Sequence, residues 1–319
     1  MKAVVVSALS PDLSGTALID IPEPVARPGQ VTIRVRAAAL NYPDLLMTRG
    51  EYQLKPPLPF VPGLEVAGEV IAGDGFAPGT AVVAGTRTGG LAEVVAVDAG
   101  AVRPKPDHLS FAEAAGVGAA YLTAYVALVR LGKVEPGEWV VVHGATGGVG
   151  LAAVDLAKAL GARVIATSRS AEKLAIVADG YGVDATCPAP GFRERVKELT
   201  GGGADVIYDP VGGDVFDESV RSIAFGGRLL VVGFTSGRIA TVSTNMPLIK
   251  GFSVIGVRAG EYGRQFPERG RENQAAIWAL AEEGRIRPRV HAEYPLSRWR
   301  EALLAMERSE MVGKLVLVP

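Results

Sequence analysis

The chain reads as an α/β protein in two parts: a barrel-like run of short strands, then a doubly wound parallel sheet. The first part, to about Ser110, breaks into KAVVVSAL, QVTIRVRAAAL, EVAGEVIAG, TAVVAG and AEVVAVD, separated by proline and glycine, the pattern of an all-β domain. From Phe111 the pattern changes. FAEAAGVGAAYLTAYVALVRLG reads as helix rich in small residues. The strands VVVHG, RVIATS, DATCP, DVIYDPVGG, RLLVVGF and SVIGV then alternate with helical stretches at 149–160, 171–178, 192–200 and 214–224. Strands joined by helical crossovers argue a parallel sheet covered on both faces. Helix signals recur at 272–283 and 298–308, and a last strand, KLVLV, closes the chain. The stretch Asn41–Pro62, rich in proline and aromatics, reads as a functional loop.

The most informative stretch is Glu138–Gly150, EWVVVHGATGGVG. An apolar strand ends in Gly144-x-x-Gly147-x-x-Gly150 and runs directly into LAAVDLAKAL, apolar at helical spacing. Glycines let the backbone turn tightly and approach a dinucleotide pyrophosphate without a Cβ in the way, and the helix start turns free N–H groups toward the anion. Gly144, Gly147 and Gly150 are the glycines of this turn. An NAD site holds an acidic residue about 20 residues beyond the glycines to grip the ribose diol. Here that place reads Ala166-Thr167-Ser168-Arg169-Ser170, with no carboxylate until Glu172. Ser168, Arg169 and Lys173 suit a 2′-phosphate instead, which points to NADPH.

Composition bounds the rest. The 319 residues are 48% hydrophobic and 21% charged, ordinary for a soluble globular protein. A net charge of −1, with no Lys/Arg block, argues against a nucleic-acid partner, and no apolar run reaches membrane-span length. Met1-Lys2 leads straight into AVVVSAL, which reads as a strand rather than a leader, so the expected compartment is cytoplasmic. The single cysteine, Cys187, excludes an intrachain disulfide and reads as a small buried thiol. With one cysteine and three scattered histidines (His108, His143 and His291), a catalytic zinc is not expected. His143 is expected to pack against the sheet or line the cofactor cleft.

Taken together, AAALNYPDLLMTRGEYQLKPPLPFVPGLEVAGEV, YLTAYVAL, VVVHGATGGVGLAAVDLAKALGARVIATSRSAEKL, DVIYDPVGGDVF, GGRLLVVGF and GKLVLVP resemble the zinc-independent branch of the medium-chain dehydrogenase/reductase superfamily, in particular NADPH:quinone oxidoreductases. The resemblance implies a GroES-like catalytic domain over 1–118, a Rossmann NADPH-binding domain over 119–258, and a C-terminal segment, 259–319, returning to the first domain. It also implies an active site in the cleft between domains and a homodimer. In zinc-dependent relatives a cysteine falls near Asn41–Asp44 and a Gly-His-Glu where this chain has Gly63-Leu64-Glu65; Leu64 cannot bind a metal.

Carried over by position, Asn41, Tyr42 and Asp44 are expected by the nicotinamide end, and Tyr52 near the substrate. Gly147, Gly148 and Val149, with Gly144 and Thr146 beside them, are expected to face the pyrophosphate, and Thr123, Gly233, Phe234 and Val257 are expected around the nicotinamide. Leu46 stands where some quinone reductases carry a tyrosine, and Cys187-Pro188 where others do. The resemblance thus implies hydride delivery to a small electrophile, a quinone or enone, without a metal. Developing negative charge would then be met by hydrogen-bond donors, for which Tyr52, Asn41 and Tyr42 are at hand. Asp44 also reads as a helix N-terminal residue or loop cap, Glu65 as a structural residue, and Tyr52 as loop packing. Enoyl thioester reduction and non-catalytic NADPH binding are the competing functions.

Overall fold

The computed structural model describes residues 1–319, which divide into two compact units: Met1–Ala119 with Pro288–Pro319, and Ala120–Arg287. The strands in chain order are β1 (Lys2–Val6), β2 (Thr16–Asp20), β3 (Gln30–Ala39), β4 (Glu65–Gly73), β5 (Ala81–Gly85), β6 (Val94–Asp98), β7 (Val102–Pro104), β8 (Trp139–Val142), β9 (Arg163–Ser168), β10 (Ala185–Pro188), β11 (Ala204–Asp209), β12 (Ile223–Val231), β13 (Ser253–Gly256), β14 (Val290–Pro295) and β15 (Lys314–Val318).

In the first unit β1 and β2 form an antiparallel pair, and the main sheet has the order β14-β15-β3-β4-β5-β7. The ten-residue β3 organises it. Along one edge its first half pairs with β6 (Val31↔Val97, Ile33↔Val95) and its end with β15 (Val316↔Ala39), while β4 covers the other edge. Its inward residues, Val31, Ile33 and Val35, join Leu45, Leu91 and Leu303 in the core. The chain terminus returns here because β14, the helix Trp299–Glu307 and β15 form a parallel crossover. Trp299, Ala302, Leu303 and Met306, at helical spacing, bury one face of that helix. The terminal strand that the resemblance assigns to the first domain is therefore seated against β3.

In the second unit six parallel strands have the order β10-β9-β8-β11-β12-β13. Helices follow β8, β9, β10 and β11 at Gly148–Ala159, Ala171–Tyr181, Arg193–Thr200 and Gly213–Ser219. Val140, Val141 and Val142 are fully buried, as expected of strands covered on both faces. The doubly wound sheet and the six strands are as expected from sequence.

Four details differ. The second unit runs to Arg287 rather than 258, because the helix Pro267–Glu282 buries Asn273, Ile277, Trp278 and Ala281 and meets Arg130 through Asn273 at 2.6 Å. The helix expected at 214–224 ends at Ser219, since Ile223 is drawn into β12 opposite Ala204. The helical stretch from Phe111 splits into Phe111–Ala115, Gly118–Tyr125 and a turn of π-helix, Val126–Leu131. Lastly, Asn41–Pro62 is not all loop: Tyr42–Arg49 is helical, with Pro43 in its first turn, where proline is tolerated. No helix is long and apolar enough to cross a membrane.

Candidate active site and nucleotide edge

The glycine turn after β8 sits at the carboxyl end of the parallel sheet, where open α/β sheets hold their ligands. Each glycine has a separate reason. Gly144 adopts φ +56°, a left-handed turn. Gly147 is the N-cap of the helix Gly148–Ala159 and presents no side chain. At Gly150 a Cβ would fall 2.1 Å from the Gly144 carbonyl oxygen, so only glycine lets the helix close on the turn. Ala145 N–H donates to the Thr167 carbonyl at 3.0 Å, and Thr146 Oγ1 lies 3.3 Å from Ser168 Oγ, which ties the turn to the end of β9.

Beyond β9 the basic residues stand on the next helix start. Ser170 caps it by accepting from the Lys173 N–H at 3.3 Å. Arg169 is exposed and Lys173 half-buried; no carboxylate precedes the exposed Glu172. At the ends of the neighbouring strands, Gly233 N–H reaches the Asp209 carbonyl at 3.3 Å and Val257 N–H the Val231 carbonyl at 2.9 Å. Phe234 is 43% exposed there. Thr123 is half-buried on the helix Gly118–Tyr125. The strand ends thus gather Gly144, Thr146, Gly147, Gly148, Val149, Ser168, Arg169, Gly233, Phe234 and Val257 along one edge, with Lys173 in the first turn of the helix after β9.

Two buried groups under this edge are structural. His143 holds Thr167 Oγ1 at 2.8 Å and Ser219 Oγ at 2.9 Å, and burial pushes its pKa down to about 3, so the ring is neutral and acts as a brace. Asp209, which the sequence reading passed over, turns the chain after β11: its Oδ1 accepts from the N–H groups of Val211 and Gly212 at 2.8 and 2.9 Å. Burial raises its pKa, and its Oδ2 has no partner. Cys187 is buried, as expected.

In the first unit the helix Tyr42–Arg49 anchors a buried polar cluster. Asp44 is fully buried and takes two backbone donors, Asn41 N–H at 2.8 Å and Gly63 N–H at 3.0 Å. Burial is the main cause that pushes its pKa up to about 7. Gly63 needs its left-handed φ of +110°, and a Cβ there would fall 2.5 Å from the Leu91 amide. Asn41 donates from Nδ2 to the Ala39 carbonyl (3.2 Å) and to Glu65 Oε1 (2.9 Å), so both amide hydrogens are used. Its Oδ1 accepts from Lys314 Nζ at 2.7 Å, and the same ammonium pairs with Glu65 at 3.0 Å. Glu65 Oε2 accepts from the Ala119 N–H at 2.6 Å.

The expected grouping of Asn41, Tyr42, Asp44 and Tyr52 as reacting groups therefore separates. Asn41 and Asp44 are occupied by the protein itself. Tyr42 packs half-buried against the main core, and Tyr52 half-buried against Val6, Met47 and Phe60. Neither tyrosine hydroxyl has a protein partner. Sequence reasoning missed Lys314, the cation of the cluster; its signal was a lysine opening an otherwise apolar strand, KLVLV.

No three His, Cys, Asp or Glu side chains are placed to hold a metal ion, Leu64 separates Gly63 from Glu65, and Glu65 is consumed by three donors. This donor set does not fit a zinc site.

Comparison with known proteins bears on the family. Residues 27–107 match the alcohol dehydrogenase GroES-like domain, and residues 148–273 the domain described as zinc-binding dehydrogenase. The chain is 37% identical over 300 residues to a quinone oxidoreductase-like protein 2 homolog of Nematostella vectensis, covering 90% of this chain and 81% of the relative. A probable oxidoreductase from Mycobacterium abscessus superposes with TM-score 0.90 at 41% identity, over 100% of this chain and 99% of the other. The quinone oxidoreductase of Thermus thermophilus, a structure described together with its NADPH complex, superposes with TM-score 0.89 at 34% identity over 100% of both chains. The chain belongs to the quinone oxidoreductase family of medium-chain dehydrogenases/reductases.

Proposed function

We propose that the protein is an NADPH-dependent reductase that transfers hydride to quinones or related α,β-unsaturated carbonyls without a metal. The observation that carries this reading is the end of β9. It is tied to the glycine turn by the Thr146–Ser168 contact and leads into Arg169, exposed and without an ion pair, where an NAD site would place a carboxylate. Family membership and the NADPH complex described for the Thermus thermophilus relative support it.

The residues present fit the cofactor: Gly150 admits no side chain, and Gly144, Gly147 and Gly148 leave the turn before it without side chains at three of its six positions. When bound, the nicotinamide supplies the hydride. The Gly144–Val149 turn would hold the pyrophosphate against the first N–H groups of the following helix. Ser168, Arg169 and Lys173 would hold the 2′-phosphate, the guanidinium bidentately. Thr123, Gly233, Phe234 and Val257 would shape the nicotinamide end. Asn41 and Asp44 act as supports, fixing the helix start and the Gly63 turn. Tyr52 and Tyr42 keep hydroxyls able to donate to an oxygen that gains negative charge. A quinone yields a stabilised hydroquinone anion, so a hydrogen bond suffices and no strong acid is required.

A second copy of the chain would pair along β13, an edge strand beside the exposed Leu248 and Ile249; light scattering behind size exclusion checks the expected dimer.

The test is NADPH oxidation with 1,4-benzoquinone, 9,10-phenanthrenequinone, an alkyl enone and crotonyl-CoA, with NADH in parallel. Turnover of the quinones by NADPH and little by NADH is expected. Turnover confined to the thioester moves the function to enoyl reduction, and equal use of NADH removes the 2′-phosphate argument.

A further inference from the structure

The parallel sheet has a second edge, at the amino ends of its strands, which the nucleotide reading does not use. A cavity of about 640 Å³ opens there, in the size range of small-molecule sites. It begins at Trp139 of β8, Arg163 of β9, Asp205 of β11 and Ile223 of β12. Four cations line it, Arg163, Lys197, Arg221 and Lys250, against one carboxylate, Asp205. That carboxylate is already engaged, accepting from the Trp139 N–H at 2.7 Å. Arg163 is also spoken for, stacked on the Trp139 ring at 4.4 Å with its Nε donating to the Gly137 carbonyl. Gly201, Gly202 and Gly203 leave one wall as bare backbone.

Helix carboxyl ends collect cations, and that explains part of this cluster: Lys250 Nζ donates to the Val220 carbonyl at 2.9 Å. It does not explain the rest. The Arg221 guanidinium has no partner in the protein, and the Lys197 ammonium has only an exposed carboxylate, Glu194, at 3.5 Å. Burial and the charges of Lys197, Arg193 and Arg221 hold the Lys250 ammonium below its ordinary pKa, so these cations lie close enough to repel one another. Four cations at one cavity, against the already engaged Asp205 and the exposed, 3.5 Å distant Glu194, leave an excess of positive charge that an entering anion relieves. At the mouth, Phe225 is 87% exposed; one face lies on Gly251, where a Cβ would fall 2.3 Å from the ring.

We propose that this cavity binds a small molecule carrying two or more phosphate groups, held by Lys197, Arg221 and Lys250. Inorganic polyphosphate and a nucleotide share that chemistry, and Phe225 offers a stacking face only to the second. The site stands apart from the glycine turn, at the opposite edge of the same sheet.

The experiment is calorimetric titration of the full chain, saturated with NADPH, with inorganic pyrophosphate and with ADP. One saturable site is expected, weakened about tenfold or more by Arg221→Ala and by Lys250→Ala, and unchanged by Arg169→Ala. NADPH oxidation by the two cavity variants should match that of the parent chain. ADP binding tighter than pyrophosphate, with the gain lost in Phe225→Ala, identifies a nucleotide; equal affinity identifies polyphosphate. Absence of saturable binding at millimolar concentration overturns the proposal. So does binding that survives both substitutions, or that displaces NADPH. If the chain takes up no NADPH, the same titration without it still reports on the cavity.

Discussion

The polar cluster at the start of the helix Tyr42–Arg49 and the glycine edge of the parallel sheet both drew attention as sites, yet they are built in opposite ways. In the cluster the polar side chains are spent on one another and on backbone N–H groups: Asn41, Asp44, Glu65 and Lys314 are all buried, and each finds its partners inside the protein. At the glycine edge the side chains are withheld. Gly144, Gly147 and Gly148 leave half-buried backbone without side chains, the buried Gly150 lets the helix close on them, and Arg169 faces water with no ion pair. A chemically rich cluster that is fully satisfied is a support, whereas a bare one with unanswered donors has something left to offer a ligand.

The comparison breaks most readily at Lys314. Lys314→Met leaves Glu65 charged and buried without its cation and should cost about 3–5 kcal/mol, read by chemical denaturation. Lys314→Met with Glu65→Gln should recover most of that loss; a double variant as weak as the single would mean the ammonium has another role.

Asp44 follows. Asp44→Ala leaves the Asn41 and Gly63 N–H groups buried and unpaired, at about 2–4 kcal/mol. The sign of its pH dependence is set by a folded pKa near 7, raised from 3.8. The folded chain favours the protonated carboxyl, so this contribution is full below about pH 4 and is lost as pH rises through about 7. Denaturation midpoints of the parent chain relative to Asp44→Asn should fall across that window; parallel profiles would show that Asp44 keeps an ordinary pKa.

On the glycine edge, Gly150→Ala forces a Cβ against the Gly144 carbonyl and should cost about 3 kcal/mol together with NADPH affinity, measured by nucleotide fluorescence. Retained affinity would detach the turn from the cofactor. Arg169→Ala should weaken NADPH by about tenfold or more, hardly alter NADH, and leave stability within about 0.5 kcal/mol. Equal losses for both cofactors would place Arg169 away from the 2′-phosphate. The smallest effect is expected from Tyr52→Phe: a loss of about tenfold or less in kcat/KM for a quinone, without change in the denaturation midpoint. A stability loss with unchanged turnover would make Tyr52 a packing residue.

How the chain would fold at the nucleotide edge was legible because its determinants are local. A strand, a glycine turn and a helix lie within Glu138–Ala159, and the alternation of apolar runs with helical spacing announced all six parallel strands. Short elements were harder. β2 and β7, of five and three residues, carry little periodicity. The proline-rich stretch Asn41–Pro62 reads as loop until the structure shows Pro43 in the first turn of a helix.

The sequence by itself determined the fold class, the backbone-lined turn and the missing carboxylate after β9, because each rests on residues adjacent in the chain. Only the tertiary structure decided what Asn41, Asp44 and Glu65 do. Lys314, the partner of Asn41 and Glu65, lies 273 positions from Asn41 and is brought there by the pairing of β15 with β3, so whether those polar groups were free or already satisfied was written in no single stretch of sequence.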